Sequence, residues 1–148
     1  MSRRCSISVD VILDVTPDVA WDAITDWPSQ SDWVMATTVR NTTKGGVGVG
    51  GGFEAFTGLG RFGVVDPMVI TEWEPPHRVV VEHLGSVVKG TGVLEVFALP
   101  GDRSRFVWAE ELELPLGPVG RAAWLVARPV FALGVSHSLQ KFRRSVQA

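Results

Sequence analysis

PLGPVGRAAWLVARPVFALGVSHSLQKFRRSVQA, residues 115–148, holds five basic residues and not one Asp or Glu. Spacings of three and four place Leu125, Arg128, Ala132, Val135, Leu139, Phe142 and Val146 on one face, which predicts a long helix with that face toward the rest of the protein. Val126, Val130 and Leu133 fall on the opposite side, so the first half of the helix is apolar nearly all round while the second half is amphipathic. Pro129 removes one intrahelical hydrogen bond and predicts a kink or local break. A helix of this kind, closing a chain that otherwise reads as strands, predicts a helix laid across a curved sheet with a cavity between them.

The strands are legible upstream. Residues 5–15 alternate Ile7, Val9, Val11, Leu13 and Val15 with Ser6, Ser8, Asp10 and Asp14, the period of a half-buried strand. Thr16-Pro17-Asp18 then starts a helix, with Thr16 as N-cap and Pro17 at the first helical position, where its missing N–H costs nothing. That helix runs to about Asp26, Pro28 ends it, and residues 29–33 allow a second short one. Six further β-type runs follow, at about 35–43, 52–59, 63–74, 78–87, 89–99 and 104–114. Gly- and Pro-rich turns separate them, which suits an antiparallel meander. Pro67, inside the fourth run, calls for a late start, a bulge or an edge position.

Composition narrows the function. A chain of 148 residues with 45% apolar content fits a single domain, 1–148, with a substantial core. Its longest apolar stretch, 122–135, is broken by Arg128 and Pro129 and is shorter than a spanning helix of about 20 residues, so no integral membrane association is expected. The N-terminus lacks the apolar core and cleavage site of a signal peptide, and Cys5 is the sole cysteine, which fits a reducing compartment and predicts a cytoplasmic location. Net charge is −2, but residues 115–148 carry +5, leaving nine basic against sixteen acidic residues, or −7, for the remainder. The two parts complement each other. Short basic clusters and a pI near 5.9 argue against nucleic acid as a partner.

Local motifs join the layout. Asp18-Val19-Ala20-Trp21-Asp22-Ala23-Ile24-Thr25-Asp26-Trp27-Pro28, Gly48-Val49-Gly50, Thr71-Glu72-Trp73-Glu74-Pro75-Pro76-His77-Arg78 and Arg128-Pro129 resemble the START/birch-allergen-like (SRPBCC) superfamily, and within it the polyketide cyclase/dehydrase family. The resemblance spans nearly the whole chain. It implies an α+β helix-grip fold: a seven-stranded curved antiparallel sheet, two short helices and a long C-terminal helix. It leaves function open, because members of one fold carry lipids, cyclise polyketides or activate chaperones.

Several tempting motifs fail on context. The run Gly45 to Gly52 precedes a strand rather than a helix, so it reads as a hairpin loop, one that could lid a pocket, and not as a phosphate cradle. Gly134-Val135-Ser136-His137-Ser138 lies inside the helix and lacks the final glycine of a nucleophile elbow. Three histidines without a carboxylate pattern give no metal site, and no cofactor is implied.

Better candidates are polar residues on apolar faces. Glu110 shares its face with Phe106, Trp108, Leu112 and Leu114; His83 shares one with Val79 and Val81; Arg128 shares one with Leu125 and Ala132. Glu110 and Arg128 are expected either to pair structurally between sheet and helix or to clamp a ligand, with His83 as proton shuttle near neutral pH. Asp66 is a poorer candidate because Pro67 obscures its facing. Trp108, Trp73, Phe53, Met68, Trp124 and Arg128 are the expected ligand contacts. The leading expectation is a binding domain for a small hydrophobic, lipid-like or aromatic polyketide-like molecule. Alternatives are a polyketide cyclase/dehydratase-type enzyme using the same cavity, disfavoured by the absence of tyrosine, and an interaction module or homodimer joined through the apolar first half of the helix.

Overall fold

A computed structural model of the chain describes residues 4–85, 88–113 and 117–147. Seven strands form one sheet: β1 (Arg4–Leu13), β2 (Thr37–Asn41), β3 (Gly52–Leu59), β4 (Phe62–Glu74), β5 (Arg78–Leu84), β6 (Lys89–Leu99) and β7 (Arg103–Glu113). Their spatial order is β1-β7-β6-β5-β4-β3-β2, with every neighbouring pair antiparallel, so β2 to β7 form a meander and β1 joins its far end. With helices α1 (Pro17–Thr25), α2 (Gln30–Trp33) and α3 (Gly117–Gln147), this is the helix-grip fold. Residues 86, 87 and 114, which the sequence assigns to strands, lie outside the described residues.

The alternation of β1 places Ile7, Val11 and Leu13 in the interior, while Asp10 faces outward and receives the Arg105 guanidinium at 2.7 Å. In α1 the Thr16 hydroxyl caps the Val19 N–H at 3.5 Å, and Ala20, Trp21 and Ile24 go into the core. Trp27, in the 3-10 turn Trp27–Ser29, stacks on Phe53 with ring centroids 4.0 Å apart. Its indole N–H donates to the Gly46 carbonyl at 2.7 Å. Pro67 pairs with Glu54 of β3, but pairing with β5 begins only at Met68, so β4 is locally an edge there and no ladder bond is lost.

The glycine run is more ordered than a free hairpin loop. Gly50 N–H donates to the Ile70 carbonyl and Ile70 N–H to that of Gly51, which extends the β4 ladder into the run. Gly46 takes φ +71° directly beneath the Trp27 ring, where a Cβ would stand 2.6 Å from Cδ1. The run is a corner of the sheet strapped to β4.

In α3 the helix continues through Pro129, without the local break that was the alternative to a kink. Its predicted face divides in two. Leu139 and Phe142 are 1% and 2% exposed, with the Phe142 ring packed on Trp33 and Phe106 at 4.8 and 5.6 Å between centroids. Leu125, on the same face, remains 75% exposed, and Leu133, on the opposite side, 71%. Helical phase sets which side chains share a face, but not whether the sheet still lies beneath them. Ser138 ties the junction between the halves: its buried hydroxyl accepts the Met35 N–H at 3.1 Å and donates to the Gly134 carbonyl at 2.9 Å. Among the described residues, no helix is long and apolar enough to cross a membrane.

The contrast between halves is measurable. Phe142→Ala should lower unfolding free energy by about 3–5 kcal/mol, the usual cost of emptying an aromatic core site. Leu125→Ala should stay within about 0.5 kcal/mol of the parent. Equal losses in urea denaturation would contradict the unequal anchorage of α3.

Candidate functional site

Where α3 leaves the sheet a cavity of about 500 Å³ opens. Its floor is the inner face of the sheet, with Phe53 and Ala55 from β3, Met68 from β4, Val81 from β5, Leu94 from β6, and Trp108 and Leu112 from β7. Trp27 and Trp33 close one end, and Val130, Phe131, Gly134 and Val135 of α3 form the roof. The lining is overwhelmingly apolar. A second hollow of about 540 Å³, beside Met35, Gly58, Gly60, His137 and Lys141, is mainly polar in lining and does not contain the ionisable cluster described next.

That cluster stands in the wall of the apolar cavity. His83 Nδ1 lies 3.0 and 2.9 Å from the two Asp66 carboxylate oxygens, and Nε2 lies 2.9 Å from Glu110 Oε2. The Trp108 indole N–H donates to the remaining Glu110 oxygen at 2.9 Å. The side chains are nearly withdrawn from solvent, with 5% exposure for His83, 16% for Asp66 and 11% for Glu110.

Strand register explains how they meet. His83 is on β5 and Glu110 on β7, two strands apart, a separation of about 10 Å. The strand between them contributes Gly90 opposite His83 and Gly92 opposite Glu110, so no β6 side chain stands between the two. A Cβ at Gly92 would sit 3.1 Å from Glu110 Oε1 and 3.0 Å from the Val81 methyl. Glycine here is a gap through which imidazole and carboxylate reach one another. Asp66 approaches from the other side, two residues before Met68, the β4 partner of His83.

The electrostatics follow from this geometry. Burial by itself works against a charged imidazole, but the hydrogen bonds it donates to Asp66 and Glu110, with their negative charges, outweigh it and raise the His83 pKa to about 10. The raised pKa favours the imidazolium at neutral pH, in which each ring N–H donates to a carboxylate. In that form His83 can give up a proton but cannot accept one. Among the described residues, no group of three or more His, Cys, Asp or Glu side chains is arranged to hold a metal.

The expected site residues separate into two sets. Glu110, His83, Trp108, Phe53 and Met68 border the cavity. Arg128 is exposed and does not; among the described residues it makes no ion pair with Glu110, whose partners are His83 and Trp108. Its charge is felt instead by the Cys5 thiol, which burial raises while the Leu112 backbone and Arg128 pull it down. Trp73 packs edge-on to Trp21 at 5.1 Å, off the cavity. The Trp124 side chain lies outside the described residues. Asp66, whose facing Pro67 obscures in the sequence, is a full member of the cluster. Gly92 is the residue that sequence reasoning missed, although glycine inside a strand signals the close approach of another group. Trp33 adds one buried indole N–H without a partner among the described residues.

Comparison with known proteins gives a consistent picture. A family model described as polyketide cyclase/dehydrase and lipid transport matches residues 4–147. The fold is similar to the crystal structure of TTHA0849 from Thermus thermophilus, with TM-score 0.80 and 11% identity over 96% of this chain and 97% of that one. It is also similar to the Zhui aromatase/cyclase from Streptomyces sp. R1128, with TM-score 0.77 and 14% identity over 97% and 93%. One half of StfQ, the di-domain aromatase/cyclase of the steffimycin biosynthetic pathway, matches at TM-score 0.74 and 12% identity, covering 95% of this chain and 50% of that one. No curated protein sequence matches.

The His83 bridge has a pH signature. Because its pKa in the folded state is raised to about 10 from an ordinary value of about 6.5, its stabilising contribution is complete below about pH 6.5 and is lost as pH rises toward 10. For one proton the slope is at most about 1.4 kcal/mol per pH unit. Nitrogen-15 NMR of the His83 ring at pH 8 should show two protonated nitrogens; a neutral tautomer at that pH would refute the bridge.

Proposed function

The chain belongs to the polyketide cyclase/dehydrase and lipid transport family, and on that footing we propose that it binds a small hydrophobic molecule in the cavity between the sheet and the first half of α3. The observation that carries this reading is the combination of about 500 Å³ of space with a mainly apolar wall in which one hydrogen-bonded ionic cluster supplies the charge. Such a site supplies affinity by burying apolar ligand surface, at about 25 cal/mol per Å², and orientation through a few fixed polar groups. Phe53, Met68, Leu94 and Trp108 would make the apolar contacts, while Val130 and Phe131 stand at the roof.

Filling the cavity should abolish binding without unfolding the protein. Ala55→Phe projects a ring from the floor, where Ala55 is buried against the cavity. The neutral probe N-phenyl-1-naphthylamine should bind the parent with a fluorescence rise and bind the variant at least tenfold more weakly, with thermal unfolding recorded alongside. Unchanged affinity in a folded variant would place the probe elsewhere.

A second reading is favoured by the carboxylates themselves. Glu110 and Asp66 face the cavity with oxygen lone pairs to spare, so either could take a proton from a carbon between two carbonyls of a bound polyketone. The carbanion would attack a distant carbonyl carbon of the same chain, the resulting alkoxide would recover a proton, and loss of water would leave a ring. Positioning by the apolar walls would supply much of the rate. Under this reading Glu110→Gln should lose more than 100-fold in turnover of a linear polyketone while its dissociation constant changes by less than threefold. Full turnover in that variant would remove Glu110 from the chemistry.

A further inference from the structure

We infer that the bound molecule ends in a hydrogen-bond donor, an alcohol or an ammonium group, seated against Asp66 and Glu110, and that the site discriminates against the same molecule ending in a carboxylate. This rests on the cavity-binding reading above and specifies the ligand that the cavity would take.

The basis is an account of donors and acceptors around the cavity. Both His83 N–H groups are spent on the two carboxylates, and the Trp108 N–H is spent on Glu110. Elsewhere in the lining the Thr37 hydroxyl donates to the Met35 carbonyl, which leaves Thr57 as the donor in the 3.0 Å bond between the two threonines. Ser138 donates to Gly134 and Trp27 to Gly46. Each of these protons is directed to a protein acceptor. The carboxylates are in the opposite condition. Among the described residues Asp66 receives the His83 Nδ1–H and Glu110 one N–H on each oxygen, whereas a carboxylate accommodates about four. The cluster therefore presents unused acceptors and no unused donor.

Charge leads to the same conclusion independently of the imidazole's protonation. Two carboxylates against one imidazole give −1 when His83 is protonated and −2 when it is neutral. No Lys or Arg is among the described residues lining the cavity, and Arg128 lies outside it. The lining donors that remain, the Gln30 amide and the Trp33 indole N–H, are neutral and cannot offset a second anion. A ligand carboxylate would enter a low-dielectric cavity beside like charge, with no cation among the described lining residues to pair it. A hydroxyl would instead fill a vacant acceptor site, and an ammonium would do so while neutralising the excess negative charge.

A matched series tests this in the intact protein at pH 7: 2-methylnaphthalene, 2-naphthalenemethanol, 2-naphthylmethylammonium and 2-naphthoate, titrated calorimetrically. The expected result is that the alcohol and the ammonium bind at least fivefold more tightly than the naphthoate. The double variant Asp66→Asn with Glu110→Gln, checked for folding, should reduce that preference below twofold. Naphthoate binding within fivefold of the alcohol in the parent protein, while methylnaphthalene still binds, would overturn the head-group assignment and leave cavity binding standing. Failure of all four compounds to bind would overturn both. The ranking in the parent protein decides the matter even where the double variant does not fold.

Discussion

The C-terminal half of α3 is held to the sheet through Leu139 and Phe142, and the shape of the cavity follows from that anchorage. Phe142 is wedged between Trp33 and Phe106, so one contact joins the long helix, the short helix α2 and the strand β7. Burial along α3 falls from Leu139 and Phe142 to the exposed Leu125, Val126 and Val130, so its first half packs less closely than its second. The space so created persists because interiors of this kind rearrange only partly, and bulky rings such as Trp27, Trp33 and Trp108 prop its walls. The first half of α3 carries the exposed apolar side chains Leu125, Val126, Val130 and Leu133.

Within that space the ionic cluster depends on an omission. Had β6 carried side chains at 90 and 92, imidazole and Glu110 would be separated by a row of residues, and each would be a buried ionisable group in want of a partner. Two glycines let the row collapse into a hydrogen-bonded chain from Asp66 through His83 to Glu110 and Trp108. A buried charged network contributes little net stability against a well-packed apolar equivalent. The cluster stands in the wall of a mainly apolar cavity, with Asp66, His83 and Glu110 all among its lining residues.

The architecture was legible because each element carries its own period. Alternation in residues 5–15, the Thr16-Pro17 helix start and the turn residues between strands are local signals, and local signals survive without knowledge of the rest of the chain. Facing was legible too, since Glu110 and His83 each interrupt an apolar row. Partnership was not. Which ionisable groups meet is set by strand order and register, and these made Glu110 the partner of His83 instead of Arg128. The same limit applies along α3: its phase identified a face, yet whether Leu125 or Leu139 touches the sheet depends on curvature. Asp66 was hidden by a proline whose effect proved local, limited to a point where β4 has a neighbour on one side only.

The sheet does not close on itself, so β1 and β2 are left as edges, each with a row of backbone groups able to template another strand. Each edge strand has helical structure packed against it: α3 against β1, and α2 with the turn before it against β2. On the β2 side the Ser31 hydroxyl takes the Val39 N–H at 2.8 Å, occupying a donor that an incoming strand would otherwise need. On the β2 side, an element that helps to enclose the cavity thus also guards the edge, and loosening α2 would open that edge to association as well as remove part of the cavity wall.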